Sequence, residues 1–127
     1  ERYDKLKIDE ATSNWNYASI NEVKKNYFEN TLPNENLTLI IGKVEDTLLD
    51  SNNIPQKISI LKLDTCLYEG TKIELEKLFP KVQKGGAVIV DNYFNFKGVK
   101  KATDEYFASK VISIKYYSII ARAVIYL

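Results

Sequence analysis

The 127-residue sequence contains no histidine and a single cysteine, and both shortages narrow the chemistry it can perform. Without histidine, a Ser-His-Asp or Cys-His nucleophile and a histidine-ligated metal are excluded. Cys66 alone cannot form an internal disulfide or a thiolate zinc cluster, and it predicts a reducing, cytoplasmic setting. A general base in this sequence must therefore be a carboxylate, a lysine, a tyrosine or the thiol.

Long apolar runs and an excess of one charge are also missing. The apolar stretches are far shorter than the roughly 20 residues of a membrane helix, and the first residues lack the basic-then-apolar pattern of a signal peptide. Lysine and arginine number 18 against 17 acidic residues, and the basic residues are scattered. We therefore expect a single domain over residues 1–127, with neither a membrane nor a nucleic-acid partner.

Glycine is scarce, and the five glycines do not form a phosphate-binding pattern. They are Gly42, Gly70, Gly85, Gly86 and Gly98, so no G-x-G stands between a strand and a helix. No lysine ends a late strand either. These absences argue against a small receiver-like or nucleotide-binding α/β domain.

Periodic apolar positions predict helices and strands in alternation. After a loop or lid over residues 1–18, Ser19 and Glu22 form a capping-box pattern that begins a helix ending near Asn30. Amphipathic spacing predicts further helices over residues 68–82 and 98–109. Apolar and β-branched runs predict strands at residues 37–42, 58–64, 87–91, 111–116 and 120–126. This order is typical of an α/β fold, with a mostly parallel sheet and an antiparallel C-terminal strand pair.

Two of the predicted strands end in acidic residues. Asp64 follows one apolar run, and Asp91 and Asn92 follow the next strand along the chain. Because the carboxyl ends of parallel strands meet at one edge of the sheet, we expect these side chains to converge where such sheets bind ligands. Three oxygen donors there suit Mg²⁺, although an isolated Asp-Asn pair is also typical of a simple turn.

Four ordered motifs then resemble one enzyme family. They cover residues 64–72, 78–81, 85–93 and 98–107, and weaker similarity extends through residues 19–28 and 42–48. Together they are similar to the C-terminal half of the macrocin O-methyltransferase (TylF-like) family. The resemblance implies a partial Rossmann-like class I methyltransferase sheet, with S-adenosylmethionine and Mg²⁺ as cofactors. It also implies a hydroxyl acceptor on a sugar of a glycan or secondary metabolite.

The same residues are similar to the catechol O-methyltransferases, and this second likeness implies roles for individual side chains. Asp64, Asp91 and Asn92 match the trio that holds Mg²⁺ in those enzymes. Val44 and Glu45 fall where those enzymes contact the adenine ring of the methyl donor. A metal that binds the acceptor hydroxyl would lower its pKa and orient its oxygen toward the methyl group.

Two departures from these patterns leave the catalytic base open. Cys66 stands where the TylF-like pattern usually has a second acid, and Leu67 stands where the catechol-type enzymes have a lysine. The catalytic residue is therefore unassigned, and Asp64 is one candidate for it. Three polar residues nearby follow no pattern and are interpreted as surface or core positions: Lys62, Tyr68 and Tyr93.

The larger departure is the missing glycine-rich loop, together with the first two strands of the class I methyltransferase sheet. In the family those strands lie between the predicted strands at residues 37–42 and 58–64, so their absence removes the centre of the sheet. We therefore expect this chain to be inactive alone and to act as a homodimer or with a missing N-terminal half. A non-catalytic module with a degenerate methyltransferase fold, acting in assembly, is the alternative interpretation.

Overall fold

The computed structural model describes residues 19–30, 37–110, 112–117 and 122–126, in two compact units. The first unit, which extends to Ile40, holds helix α1 (Ile20–Asn30). Its start is the predicted capping box: Ser19 Oγ accepts the Glu22 N–H at 3.2 Å, and Glu22 Oε2 accepts the Ser19 N–H at 2.9 Å. This reciprocal pair satisfies two of the N–H groups that a helix start leaves open. The proposed loop or lid over residues 1–18 lies outside the described residues.

From Ile41 on, the described residues of the second unit form a four-stranded sheet with three α-helices. The helices are α2 (Val44–Thr47), α3 (Tyr68–Leu78) and α4 (Lys97–Phe107). The strands are β1 (Ile58–Leu63), β2 (Val82–Val90), β3 (Ile114–Tyr117) and β4 (Arg122–Tyr126). They lie in the order β1-β2-β4-β3, with β1 and β2 parallel and both other pairs antiparallel. The predicted α/β class and the antiparallel C-terminal pair are confirmed. The prediction of a mostly parallel sheet is wrong for the described strands, because only one of their three pairs is parallel.

The two faces of the sheet differ in burial. Side chains alternate along a strand, so Leu63 on β1, Val88 on β2 and Ile125 on β4 share one face and are almost fully buried. Helix α3 contacts β1 and packs against α4, with Leu75 and Val99 buried. The opposite face includes Ile60, which is 70% exposed. The described core of this unit therefore lies on one side of the sheet.

The predicted strand at residues 37–42 is wrong: in the structure these residues lie outside any strand. Ile40 and Ile41 are exposed, and Gly42 has a φ of 143°, which breaks extended pairing. A β-strand is held by hydrogen bonds to a neighbouring strand, so an apolar run without such a partner is not a strand.

The boundary between α3 and β2 also differs from the prediction. We expected the helix to continue to residue 82 and to end at the turn 84–86, but α3 ends at Leu78 and a 3₁₀ turn follows over Phe79–Lys81. Pro80 has no N–H to continue the helix. The segment 84–86 lies within β2, where the pairing shifts register against β1. A Cβ added to Gly86 would lie 2.7 Å from the Ser59 carbonyl oxygen, so only glycine fits this close approach.

Among the described residues, none of the helices has both the length and the apolar composition needed to cross a bilayer.

Candidate functional site

The site begins where the two parallel strands end. Asp64 follows Leu63 directly, and Asp91 follows Val90. The Asp91 N–H donates to the Leu63 carbonyl oxygen at 2.9 Å, so parallel pairing continues one residue past β2 and sets the two acids side by side. Parallel register at this edge is thus what brings together two residues that are far apart in sequence.

Asn92 joins them through an unusual backbone conformation. Its φ of 61° lies in the left-handed region, which asparagine tolerates better than most residues. The Asn92 Nδ2 donates to Asp64 Oδ1 at 3.2 Å, and the Asn92 N–H donates to Asp91 Oδ1 at 3.0 Å. The predicted convergence of Asp64, Asp91 and Asn92 is therefore present, and their role as metal ligands stays a prediction.

Two cations neutralise the acids. Lys62 Nζ donates to Asp64 Oδ2 and lies 3.1 Å from Asp91 Oδ2, while Arg122 Nη2 lies 3.0 Å from the same Asp91 oxygen. The Arg122 hydrogen bond, helped by Lys62, lowers the pKa of Asp91. The bond to Asp64 likewise raises the pKa of Lys62. The cluster of Lys62, Asp64, Asp91 and Arg122 thus carries balanced charge, and we call it the carboxylate–cation cluster.

The donor chemistry of Asp64, Asp91 and Asn92 fits Mg²⁺. Two carboxylates and one carboxamide are hard oxygen ligands, and a half-turn of the Asn92 amide would put its oxygen where Nδ2 now contacts Asp64. Among the described residues no three acidic or cysteine side chains form a metal-binding group, so an ion here would rest on these three ligands alone. Lys62 Nζ already places positive charge between the two carboxylates.

The two residues expected to contact adenine lie on α2, beside α3. Val44 and Glu45 are half-buried, and α2 contacts α3. A Cβ added to Gly70 would lie 3.2 Å from Val44 Cγ1 and 3.4 Å from Thr65 Cβ. Gly70 therefore lets the segment that carries Val44 approach the loop that follows Asp64. Contact with a cofactor by Val44 and Glu45 stays a prediction.

A buried acid supports the loop after β1. Glu74 on α3 accepts a hydrogen bond from Thr65 Oγ1 at 2.8 Å, and Thr65 Oγ1 lies 3.1 Å from Thr71 Oγ1. Burial raises the pKa of Glu74 to about 7. Burial also raises the pKa of the Cys66 thiol, which favours its neutral form and a packing role in place of the missing acid.

The turn after Asn92 is held to α4 by Tyr93. Its side chain is 3% exposed, and its hydroxyl donates to Asp104 Oδ1 at 2.5 Å and accepts from Lys100 Nζ at 3.2 Å. Burial, with the Asp104 hydrogen bond, raises the pKa of Tyr93. Tyr93, which was interpreted as a surface or core position, is buried, and its contacts fix the segment that carries Asp91 and Asn92.

Sequence reasoning missed the two cations. Lys62 was interpreted as a surface or core residue, yet it is two positions before Asp64, and that spacing puts both side chains on the same face of an extended strand. This signal could have found it. No sequence signal pointed to Arg122. Its position beside Asp91 depends on the register of β4 against β2, where Ala123 pairs with Val90.

The sequence matches the family described as macrocin O-methyltransferase (TylF) over residues 3–127. Demethyldecarbamoylnovobiocin O-methyltransferase of Streptomyces niveus is 38% identical over 89 residues, which are 70% of this chain and 33% of that protein. The 8-demethyl-8-(2,3-dimethoxy-alpha-L-rhamnosyl)-tetracenomycin-C 4'-O-methyltransferase of Streptomyces olivaceus is 31% identical over 74 residues, which are 58% of this chain and 28% of that protein. The matched part is about a third of the length of these relatives.

The fold gives an independent comparison. The structure of the O-methyltransferase NovP superposes with a TM-score of 0.71 at 34% sequence identity, over 84% of this chain and 43% of that one. Both the sequence and the arrangement of its elements therefore match enzymes that transfer methyl groups to oxygen. Because the family match extends over almost the whole sequence, the chain belongs to the macrocin O-methyltransferase (TylF) family.

Proposed function

We propose that this chain supplies the metal-binding and acceptor-binding edge of a cytoplasmic, S-adenosylmethionine-dependent O-methyltransferase. The acceptor is a sugar hydroxyl of a glycan or secondary metabolite. The observation that carries the proposal is the convergence of Asp64, Asp91 and Asn92 at the carboxyl ends of β1 and β2, in a chain of this family. In open α/β sheets this edge is where ligands bind.

Each residue of the trio has a separate task in this proposal. Asp91, which is held by Arg122 and has a lowered pKa, stays ionised and provides the principal charge for Mg²⁺. Asn92 adds a neutral oxygen. The side chain of Asp64 is 54% exposed, and we assign to it both metal binding and the removal of the acceptor proton. Mg²⁺ held there would lower the pKa of the acceptor hydroxyl and orient its oxygen.

The methyl donor would reach the site from the α2 side. Val44 offers an apolar surface to the adenine ring, and the Glu45 carboxylate can accept a hydrogen bond from its amino group. The glycine-rich loop for the rest of the cofactor is missing from this sequence. We therefore propose a partial Rossmann-like methyltransferase sheet that lacks its first two strands and is inactive alone. It would be completed by an N-terminal half or by association into a homodimer.

Cys66 supports a second candidate function. Where the family pattern has a second acid, the half-buried thiol has a raised pKa and is a poor ligand for Mg²⁺. A non-catalytic module that keeps the fold and acts in assembly would tolerate this loss. Absence of divalent-metal binding by the carboxylate–cation cluster would favour this candidate over the enzyme.

The metal site is tested by calorimetric titration of Mg²⁺ into the wild type and the Asp91→Ala variant. We expect weak binding by the wild type and none by the variant, because Asp91 supplies the principal charge. Asp46→Ala, which removes an exposed carboxylate on α2, is the control and should bind as the wild type does. Equal binding by the wild type and Asp91→Ala would dismiss the trio as the metal site.

A further inference from the structure

Lys62 is placed where a bridging metal would lie. Its ammonium contacts one oxygen of Asp64 and one of Asp91, the two carboxylates that the proposed function assigns to Mg²⁺. We propose that Lys62 is a resident cation that a divalent ion must displace, so that metal binding and the Lys62 contacts exclude one another. This inference rests on the proposed function and adds to it a residue that sets metal affinity.

The first argument is charge balance. Asp64 and Asp91 supply two negative charges, and Lys62 and Arg122 supply two positive charges within hydrogen-bonding distance. A divalent ion added to this neutral cluster would leave two uncompensated positive charges, which a partly desolvated site disfavours. Release of one resident cation reduces that excess and also frees the carboxylate oxygens that the metal needs.

The second argument identifies which cation leaves. Lys62 contacts both carboxylates through a single ammonium on a flexible four-carbon stem, whereas Arg122 contacts Asp91 alone. Moreover, the Arg122 Nε is buried, with no acceptor among the described residues. The two side chains are similarly exposed, Arg122 at 40% and Lys62 at 47%, so the position of Lys62 between the two acids is what distinguishes it. Withdrawal of Lys62 vacates the space between the acids, while Arg122 stays and keeps the pKa of Asp91 low.

The consequence is a site that stays assembled without metal. The Lys62 ammonium holds Asp64 and Asp91 together, which would otherwise repel one another as neighbouring carboxylates. The same contacts lower the affinity for a divalent ion, because every binding event must break them. Lys62 therefore lowers the affinity of the site for metal and, in the absence of metal, keeps Asp64 and Asp91 in place.

The test is a Mn²⁺ titration followed by electron paramagnetic resonance, at one pH and ionic strength. The Lys62→Met variant keeps the aliphatic stem and loses the charge, so we expect it to bind Mn²⁺ about tenfold more tightly than the wild type, or better. Lys62→Arg should stay near the wild type. Lys57→Met removes an exposed charge just before β1 and controls for net charge. Circular dichroism checks that each variant is folded.

A second measurement uses the wild type alone. Acylation of lysines, located by peptide mass spectrometry, should become faster at Lys62 when Mn²⁺ is added and stay constant at Lys57. Unchanged Mn²⁺ affinity in Lys62→Met, or unchanged labelling of Lys62 in a wild type that binds Mn²⁺, would overturn the inference and leave the metal site standing. Failure of both wild type and Lys62→Met to bind Mn²⁺ would overturn the metal site as well.

Discussion

Among the described residues, Glu74 is a carboxylate whose surroundings differ clearly from those of a surface acid. Its side chain is buried on α3, and it accepts a hydrogen bond from Thr65, the residue after Asp64. Burial is the main cause of its raised pKa, and the charges of Glu45 and Asp64 act in the same direction. The folded state therefore holds a proton on Glu74 at pH values where the unfolded chain has released it.

We predict that this proton makes stability depend on pH. The pKa rises from 4.5 to about 7 on folding, so the contribution of protonated Glu74 is complete below pH 4.5 and is lost as the pH rises to about 7. Glu74→Gln keeps an acceptor for Thr65 without the charge. Between pH 4.5 and 8, its free energy of unfolding should therefore fall less than that of the wild type, by on the order of 3 kcal/mol. Urea denaturation at both pH values measures this.

The exposed Glu76 on the same helix provides the control for this pH dependence. Glu76→Gln should show the same pH dependence as the wild type. If Glu74→Gln and the wild type lose stability in parallel from pH 4.5 to 8, the buried proton on Glu74 is excluded.

The sequence identified a site residue where the local pattern of residues determines its position. It could not do so where the position depends on the register between strands. Asp64, Asp91 and Asn92 could be found because each ends an apolar run, and parallel strands bring such ends together. Glu74 could not be assigned, because α3 has an acidic residue at several positions and only the packing against the loop after β1 distinguishes this one. Arg122 depends on strand pairing across more than thirty residues.

At the scale of elements, α3 and α4 meet at a point where only glycine fits. Gly98 lies in the first turn of α4, and a Cβ added there would be 2.9 Å from the Tyr68 backbone nitrogen. Contact at that distance would push apart the starts of the two helices. The Tyr68 hydroxyl, which donates to Glu105 on α4 at 2.7 Å, spans the same helix pair.

We predict that Gly98→Ala destabilises the second unit by about 1–3 kcal/mol, the usual cost of overpacking a well-packed contact. Gly85→Ala is the comparison, because its Cβ would meet no atom within 4 Å and the cost comes only from its φ of 85°. That strain is worth about 1 kcal/mol. Chemical denaturation of both variants should rank Gly98→Ala as the more destabilised, and the reverse ranking would contradict close packing of α3 against α4.

Helices and strands could be predicted from the sequence where the interactions that form them lie between residues close in sequence. Helix α1 begins at its capping box, because both partners of that motif lie within four residues. The strand predicted at residues 37–42 is wrong because its apolar pattern says nothing about whether a neighbour exists to accept its hydrogen bonds. The β2 start was misplaced for the same reason: its first residues pair with β1 only through a register shift at Gly86.

In the part of the molecule that the structure describes, one edge and one face of the sheet are not covered by other elements. Strand β1 lies at one end of the strand order, and Ile60 on its uncovered face is 70% exposed. The O-methyltransferase NovP is more than twice as long as the part that superposes on this chain. Among the described residues, the edge at β1 and the exposed Ile60 beside it are therefore without a covering element.

We predict that this chain alone does not bind S-adenosylmethionine more tightly than about millimolar. The adenine contacts of Val44 and Glu45 would have to offset an association cost of about 4 kcal/mol or more without the donors of a glycine-rich loop. Supplying the N-terminal half of a family enzyme in trans should restore binding. Equilibrium dialysis with labelled cofactor measures both states, and micromolar binding by the 127-residue chain alone would show that the cofactor uses another site.

The carboxylate–cation cluster also has a consequence for the order of events in folding. Within the cluster, Asp91 bonds to Arg122, which is 31 residues away, and the neighbouring Asn92 bonds to Asp64, which is 28 residues away. Contacts between distant segments form late, because the chain between them must first lose its freedom. The cluster can close only after β4 has added to β2. A nascent chain that has emerged only as far as Asn92 would therefore hold Asp64 and Asp91 with Lys62 alone, and one negative charge would stay unbalanced until Arg122 arrives with β4.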